Sequence, residues 1–78
     1  MPTIKELSNA KVQIFADDQL PPHFHLFGPN SNCQISIETL EILRGEARRR
    51  DLNEAMAWAE ENRDLLWSKW SELNERDA

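Results

Sequence analysis

The 78-residue chain has one cysteine, two glycines and no tyrosine. No apolar run approaches the roughly eighteen residues that a bilayer-spanning helix needs. Each shortage excludes something. Cys33 alone cannot form an internal disulfide, which fits a reducing compartment. Met1 to Ala10 lacks the basic-then-apolar layout of a secretory signal, so a cytoplasmic protein that does not enter the membrane is expected. There is no glycine-rich phosphate loop, no CxxC pair and no Ser, His and Asp arrangement with supporting context. Basic residues are also scarce, nine against fourteen acidic ones for a net charge of -5. That balance argues against broad nucleic-acid binding, although a local basic patch can survive it.

What is present, 40% hydrophobic and 29% charged residues, suits one small globular domain over residues 1–78. A chain of this length buries about 60% of its unfolded surface, so the core is thin.

Pro21-Pro22, then Gly28-Pro29-Asn30-Ser31, then Gly45 cut the first half into short extended pieces. Lys11 to Ala16, His23 to Phe27 and Asn32 to Glu38 alternate with strand periodicity, and Leu40 to Leu43 is a candidate fourth strand. The Gly28 to Ser31 loop suits a hairpin in which Phe27 faces Asn32, His25 faces Gln34, His23 faces Ser36, Phe24 faces Ile35 and Leu26 faces Cys33. The buried face then carries Val12, Ile14, Phe24, Leu26, Cys33, Ile35, Ile37 and Ile42, while Phe15, His23, His25 and Phe27 look outward.

From Asp51 the pattern turns helical, and Asp51 with Glu54 resembles a capping box. With no Gly or Pro to stop it, one helix is expected to run to about Leu73, roughly 34 Å long. Leu52, Ala55, Met56, Ala59, Leu66, Trp70 and Leu73 form its central stripe, with Trp58 and Leu65 on one flank and Trp67 toward solvent on the other. The predicted fold is therefore α+β, a small antiparallel sheet of three or four strands against one long C-terminal helix, with the histidines on a surface separate from that helix. The apolar arc is wider than such a sheet covers. Trp58, Leu65 and Trp67 are accordingly expected at an interface with a second copy or a partner protein.

His23 and His25 flank Phe24 on one side of a strand, about 7 Å apart. Three readings stay open. The pair can hydrogen-bond loop carbonyls and pack between Phe15 and Phe27. It can hold a divalent transition metal with Asp17, Asp18 or Glu38, Asp18 being the preferred third ligand. Or it can supply acid and base to a phosphodiester, as in a ribonuclease or a metal-dependent phosphodiesterase. Arg44, Arg48, Arg49 and Arg50 precede the helix, where Arg44, Arg48 and Arg49 are candidate anion contacts; the competing account is a solvated linker balanced by Glu41 and Glu46. A DNA-binding helix is disfavoured by Glu54, Glu60, Glu61 and Asp64.

Met1-Pro2-Thr3-Ile4, Pro21-Pro22-His23-Phe24-His25, Leu40-Glu41-Ile42-Leu43-Arg44-Gly45 and the tail with Trp58, Asn62, Arg63, Leu66 and Trp70 together resemble the small bacterial domain-of-unknown-function family numbered 4160. The resemblance spans nearly the whole chain. It implies no activity or catalytic residue. It does imply a module that works with the product of a neighbouring gene, as in a toxin-antitoxin-like pair. One departure stands out, because Gln19 occupies the place where the family pattern puts a further histidine before the two prolines.

Overall fold

The structure, a computed structural model, describes residues 3–16 and 18–74. Five strands form rather than three or four: β1 (Thr3–Glu6), β2 (Lys11–Gln13), β3 (His23–Gly28), β4 (Ser31–Ser36) and β5 (Ile42–Glu46). They lie side by side in chain order, each antiparallel to the next. The added strand is β1. Its Lys5 and Glu6 hide any apolar alternation, but an edge strand needs only one bonded neighbour, which β2 provides, and half-buried Ile4 anchors it. β5 starts two residues later than the Leu40 to Leu43 piece expected from the sequence.

The central hairpin has the register anticipated for it. Phe27 pairs with Asn32, His25 with Gln34, Leu26 with Cys33, Phe24 with Ile35 and His23 with Ser36. Val12, Ile14, Phe24, Leu26, Cys33, Ile35 and Ile37 are buried on the inner face and meet Ala55, Ala59, Leu66 and Trp70 from the helices. Burying each large apolar side chain of this set stabilises the fold by about 1.5–3 kcal/mol. Ile42 departs from expectation. It stands opposite Ile35 but is 40% exposed, because β5 is the uncovered edge and a bulge interrupts the pairing between Gln34 and Ile35.

The single helix divides into α1 (Arg49–Glu61) and α2 (Arg63–Asn74). Between them Asn62 leaves helical geometry, with φ -127° and ψ 29°. Its Nδ2 donates to the Trp58 carbonyl at 2.8 Å, its backbone N–H donates to the Ala59 carbonyl at 3.1 Å, and its own carbonyl accepts from the Leu66 N–H at 3.0 Å. An asparagine side chain that engages nearby backbone competes with the helical ladder, which accounts for a break without Gly or Pro. A wheel drawn continuously through Asn62 still sets Leu66 and Trp70 on the buried stripe but misplaces Trp67. Trp67 is half-buried against the core instead of facing solvent, as is Trp58, while Leu65 is 38% exposed.

The expected capping box does not form either. α1 begins at Arg49 after Arg48, which makes no side-chain cap. Asp51 is buried and takes a hydrogen bond from Ser31, and Glu54 accepts the Ser8 N–H at 3.2 Å and the Ser8 hydroxyl at 2.9 Å. Tertiary partners have claimed both carboxylates. Among the described residues no helix is long and apolar enough to cross a membrane.

Candidate functional site

The segment between β2 and β3 crosses the start of the central hairpin and carries Asp18 onto the histidines. The end of α2 holds that segment in place: Asn74 Nδ2 donates to the Phe15 carbonyl at 3.0 Å, and the Asp18 N–H donates to Asn74 Oδ1 at 2.7 Å. One side chain thus fixes the loop at two points. Asn74 was not anticipated from the sequence, where an asparagine near a chain end carries no distinguishing signal.

Strand alternation sends His23 and His25 to the same side of β3, opposite to Phe24 and Leu26. Their surroundings differ. His25 is partly exposed and meets the Phe15 ring edge-on, with centroids 4.7 Å apart. His23 is only 3% exposed, because the loop covers it and the Trp70 ring of α2 lies 5.4 Å from its own. The expectation that His23 faces solvent on a surface separate from the helix is therefore corrected. The ordering loop and the Trp70 contact both tie the site to α2.

Both imidazoles converge on one atom. His23 Nε2 and His25 Nε2 each lie 3.0 Å from Asp18 Oδ2. On its other nitrogen, His23 Nδ1–H donates to the Pro21 carbonyl at 2.8 Å, a contact that a carbonyl can make only as acceptor. A neutral His23 then presents its Nε2 lone pair to a carboxylate oxygen, and two acceptors 3.0 Å apart need a cation between them. A second proton on His23 meets that need, and so does a metal ion. A histidine that donates its far nitrogen to a backbone carbonyl is oriented as metal-ligating histidines usually are.

Burial opposes the Asp18 charge. The hydrogen bond from His25, the Gln19 N–H and the two nearby imidazoles outweigh that effect, and the carboxyl sits below its usual range. The three candidate ligand atoms all lie within 4.8 Å of one another. Neighbouring ligands of a tetrahedral ion with about 2.1 Å bonds are roughly 3.4 Å apart, so small side-chain movements that open the two 3.0 Å contacts bring the set to that spacing. Two imidazoles and one carboxylate are a donor set for zinc, iron or nickel. Of the other proposed ligands, Glu38 lies outside this cluster, with its carbonyl taking Arg63, and Asp17 lies outside the described residues.

Beside the cluster opens a polar cleft of about 290 Å³ lined by Asp18, Gln19, Pro21, His23, Gln34 and Arg44 among others. Register explains how Arg44 arrives there: Gln34 pairs with His25 on one side and with Arg44 on the other, so the three form one row across β3, β4 and β5. Arg48 and Arg49 do not join it. Arg48 precedes α1, its N–H bonded to Ser31 at the far end of the hairpin, and Arg49 is the first residue of α1 itself. The arginine cluster of the sequence is thus split between two ends of the sheet.

No curated protein and no solved structure matches the chain. A family described as Domain of unknown function (DUF4160) matches residues 10–71, a stretch that includes Asp18, His23, His25 and Arg44, and the chain belongs to that family.

Proposed function

We propose that the protein binds a divalent transition metal through Asp18, His23 and His25 and uses it to hydrolyse phosphodiesters. The observation that carries this reading is the convergence of two imidazole nitrogens on one carboxylate oxygen, with His23 locked by the Pro21 carbonyl into the tautomer that a ligand requires. A bound ion supplies Lewis-acid polarisation of a phosphoryl oxygen. Arg44 and Gln34 line the same cleft, where the guanidinium can take non-bridging phosphate oxygens in a fork. Asn74 acts indirectly, by holding the Asp18 loop.

The test starts with metal-free protein. Zinc, manganese and nickel are titrated by calorimetry, then hydrolysis of bis(p-nitrophenyl) phosphate is followed with each metal. Near-stoichiometric binding is expected, lost in His25→Ala and Asp18→Asn, with hydrolysis that Arg44→Gln weakens while metal binding persists. Protein that takes up no metal, or His25→Ala protein that hydrolyses at the wild-type rate, overturns the reading.

A second reading, a partner-binding module of the toxin-antitoxin-like kind anchored by Trp58, Leu65 and Trp67, is favoured by one observation. Leu65 is exposed at a groove it shares with Thr3, Ile4, Lys69, Glu72 and Leu73. Sedimentation of the protein alone and with its neighbouring gene product decides it. A chain that stays monomeric in both cases removes it.

A further inference from the structure

The outer face of the sheet holds a second cleft, of about 370 Å³, lined by Gln13, Phe15, His25, Phe27 and Asn32. It joins the metal cleft through the histidine pair: His25 lines one, His23 lines the other, and both reach Asp18 Oδ2. Two of its walls are aromatic and unburied, since Phe27 is 50% exposed and Phe15 is 37% exposed. An aromatic ring in the middle strand of a sheet, with no helix over it, leaves apolar surface in water without contributing to the core.

We infer that this face is a platform for single-stranded nucleic acid, with a base stacked on Phe27 and its phosphate directed to the histidine and Arg44 row. The inference rests on the phosphodiester reading for where cleavage falls, but binding stands apart from it. Flat rings that hold bases by stacking are the common device of sheet-based single-strand binders, and they work without sequence readout. Around Phe27 the outward side chains are Lys11 and Asn32 directly opposite and Gln13 and Gln34 on the diagonals, a cation for phosphate and three amides each able to donate and to accept on a base edge. Along the strand, His25 and Phe27 point the same way about 7 Å apart, so a base on the ring keeps its phosphate near the metal ligands. A duplex does not fit, because its bases are already stacked on one another.

Charge placement removes the objection raised by the net charge of -5. Glu54, Glu60, Glu61, Asp64 and Glu72 belong to α1 and α2, which pack on the opposite face through Ala55, Ala59, Leu66 and Trp70. On the outer face the Phe27 row runs Glu6, Lys11, Phe27, Asn32, Glu46, its acids confined to the two edge strands; the His25 row ends in Arg44, and the one acid beside it, Asp18, is faced by both imidazoles. The phosphate path therefore follows the His25 row.

The test is fluorescence anisotropy with metal-free protein and a labelled mixed-sequence 12-nucleotide RNA, the matching DNA strand, and the RNA in duplex form. Single strands are expected to bind and the duplex to bind at least ten-fold more weakly; RNA binding more tightly than DNA identifies contacts to the 2′-hydroxyl. Phe27→Ala is expected to weaken single-strand binding about ten-fold or more, the scale of one stacked base, while Phe27→Trp retains it. Phe27→Leu separates ring stacking from apolar bulk and is expected to behave like Phe27→Ala. Equal binding by Phe27→Ala, or a duplex bound as tightly as its strand, overturns the platform. Hydrolysis of the small phosphodiester with no strand binding sinks this inference alone, and strand binding without any hydrolysis sinks only the catalytic reading.

Discussion

Ser31 Oγ donates to Asp51 Oδ2 at 2.7 Å, and both side chains are buried, joining the start of β4 to the first turn of α1. The same hydroxyl accepts the Arg48 N–H at 3.0 Å. Asp51 Oδ1 has no hydrogen-bond partner, so Ser31 is the carboxylate's main support. Ser31→Ala is expected to cost about 1–3 kcal/mol, the scale of leaving a buried polar group unsatisfied, read as a lower urea midpoint at unchanged slope. Because the two residues act on each other, Ser31→Ala with Asp51→Ala together should cost less than the sum of the single changes. A strictly additive pair would show that the contact contributes nothing.

Gly45 sits at φ +83°, and a Cβ built there lies 2.2 Å from the Asn32 carbonyl oxygen and 2.9 Å from Cys33 Cα. Both obstacles are backbone of the paired strand and cannot rotate away. Gly45→Ala must open β4 from β5, and with left-handed strain added a loss of at least about 2 kcal/mol is expected, or roughly 8–16 °C in melting temperature for a chain this size. Arg44 is its neighbour, so on the proposed hydrolytic reading the variant loses more activity than its folded fraction explains. A melting temperature within 2 °C of wild type would contradict this account of β5.

The hairpin was readable because a short turn and a two-residue period leave one register that puts Phe24, Leu26, Cys33 and Ile35 on the same side; the four-residue loop expected closes further, to a two-residue turn with Gly28 paired to Ser31. The same period placed His23 and His25 together, while the carboxylate beside them stayed open among Asp17, Asp18 and Glu38, with Asp18 preferred. What the pattern could not carry was long-range: Asn74 clamping the loop from 56 residues away, Trp70 lying against His23, and Arg44 entering the cleft by pairing two strands from His25. β1 escaped because an edge strand need not alternate. Asn62 escaped because Ala55, Ala59, Leu66 and Trp70 keep helical spacing whether or not the axis bends between them.

Cys33 is buried, and burial pushes its thiol above the ordinary value of 9.0. The sign follows from which state holds the proton. A raised folded pKa means the neutral thiol favours folding; that contribution is fully present below pH 9.0 and is lost as pH rises through the higher folded value. Wild-type stability should therefore fall on the alkaline side, and Cys33→Ala should flatten that limb while lowering stability at pH 7 by the lost packing. Iodoacetamide labelling at pH 8 should match the global unfolding rate. Rapid labelling of fully folded protein would place the thiol at the surface.

Asn62 offers the sharpest test of the divided helix, because two effects of Asn62→Ala have opposite signs. Alanine is the better helix former by about 0.6 kcal/mol, so a helix that merely tolerates its break should gain stability when the break is healed. In the structure Asn62 is committed to the break: its Nδ2 bonds the Trp58 carbonyl and its own carbonyl takes the Leu66 N–H, while beyond it Leu66 and Trp70 are buried with Trp70 against His23. Healing it removes the 2.8 Å bond to the Trp58 carbonyl and straightens the axis, so Leu66 and Trp70 keep their face but meet the sheet at a changed angle. The expected result is a net loss of about 0.5–1.5 kcal/mol in urea unfolding, with red-shifted tryptophan emission as indole reaches water. A stabilised Asn62→Ala protein with unchanged emission would mean that one continuous helix serves this sheet equally well.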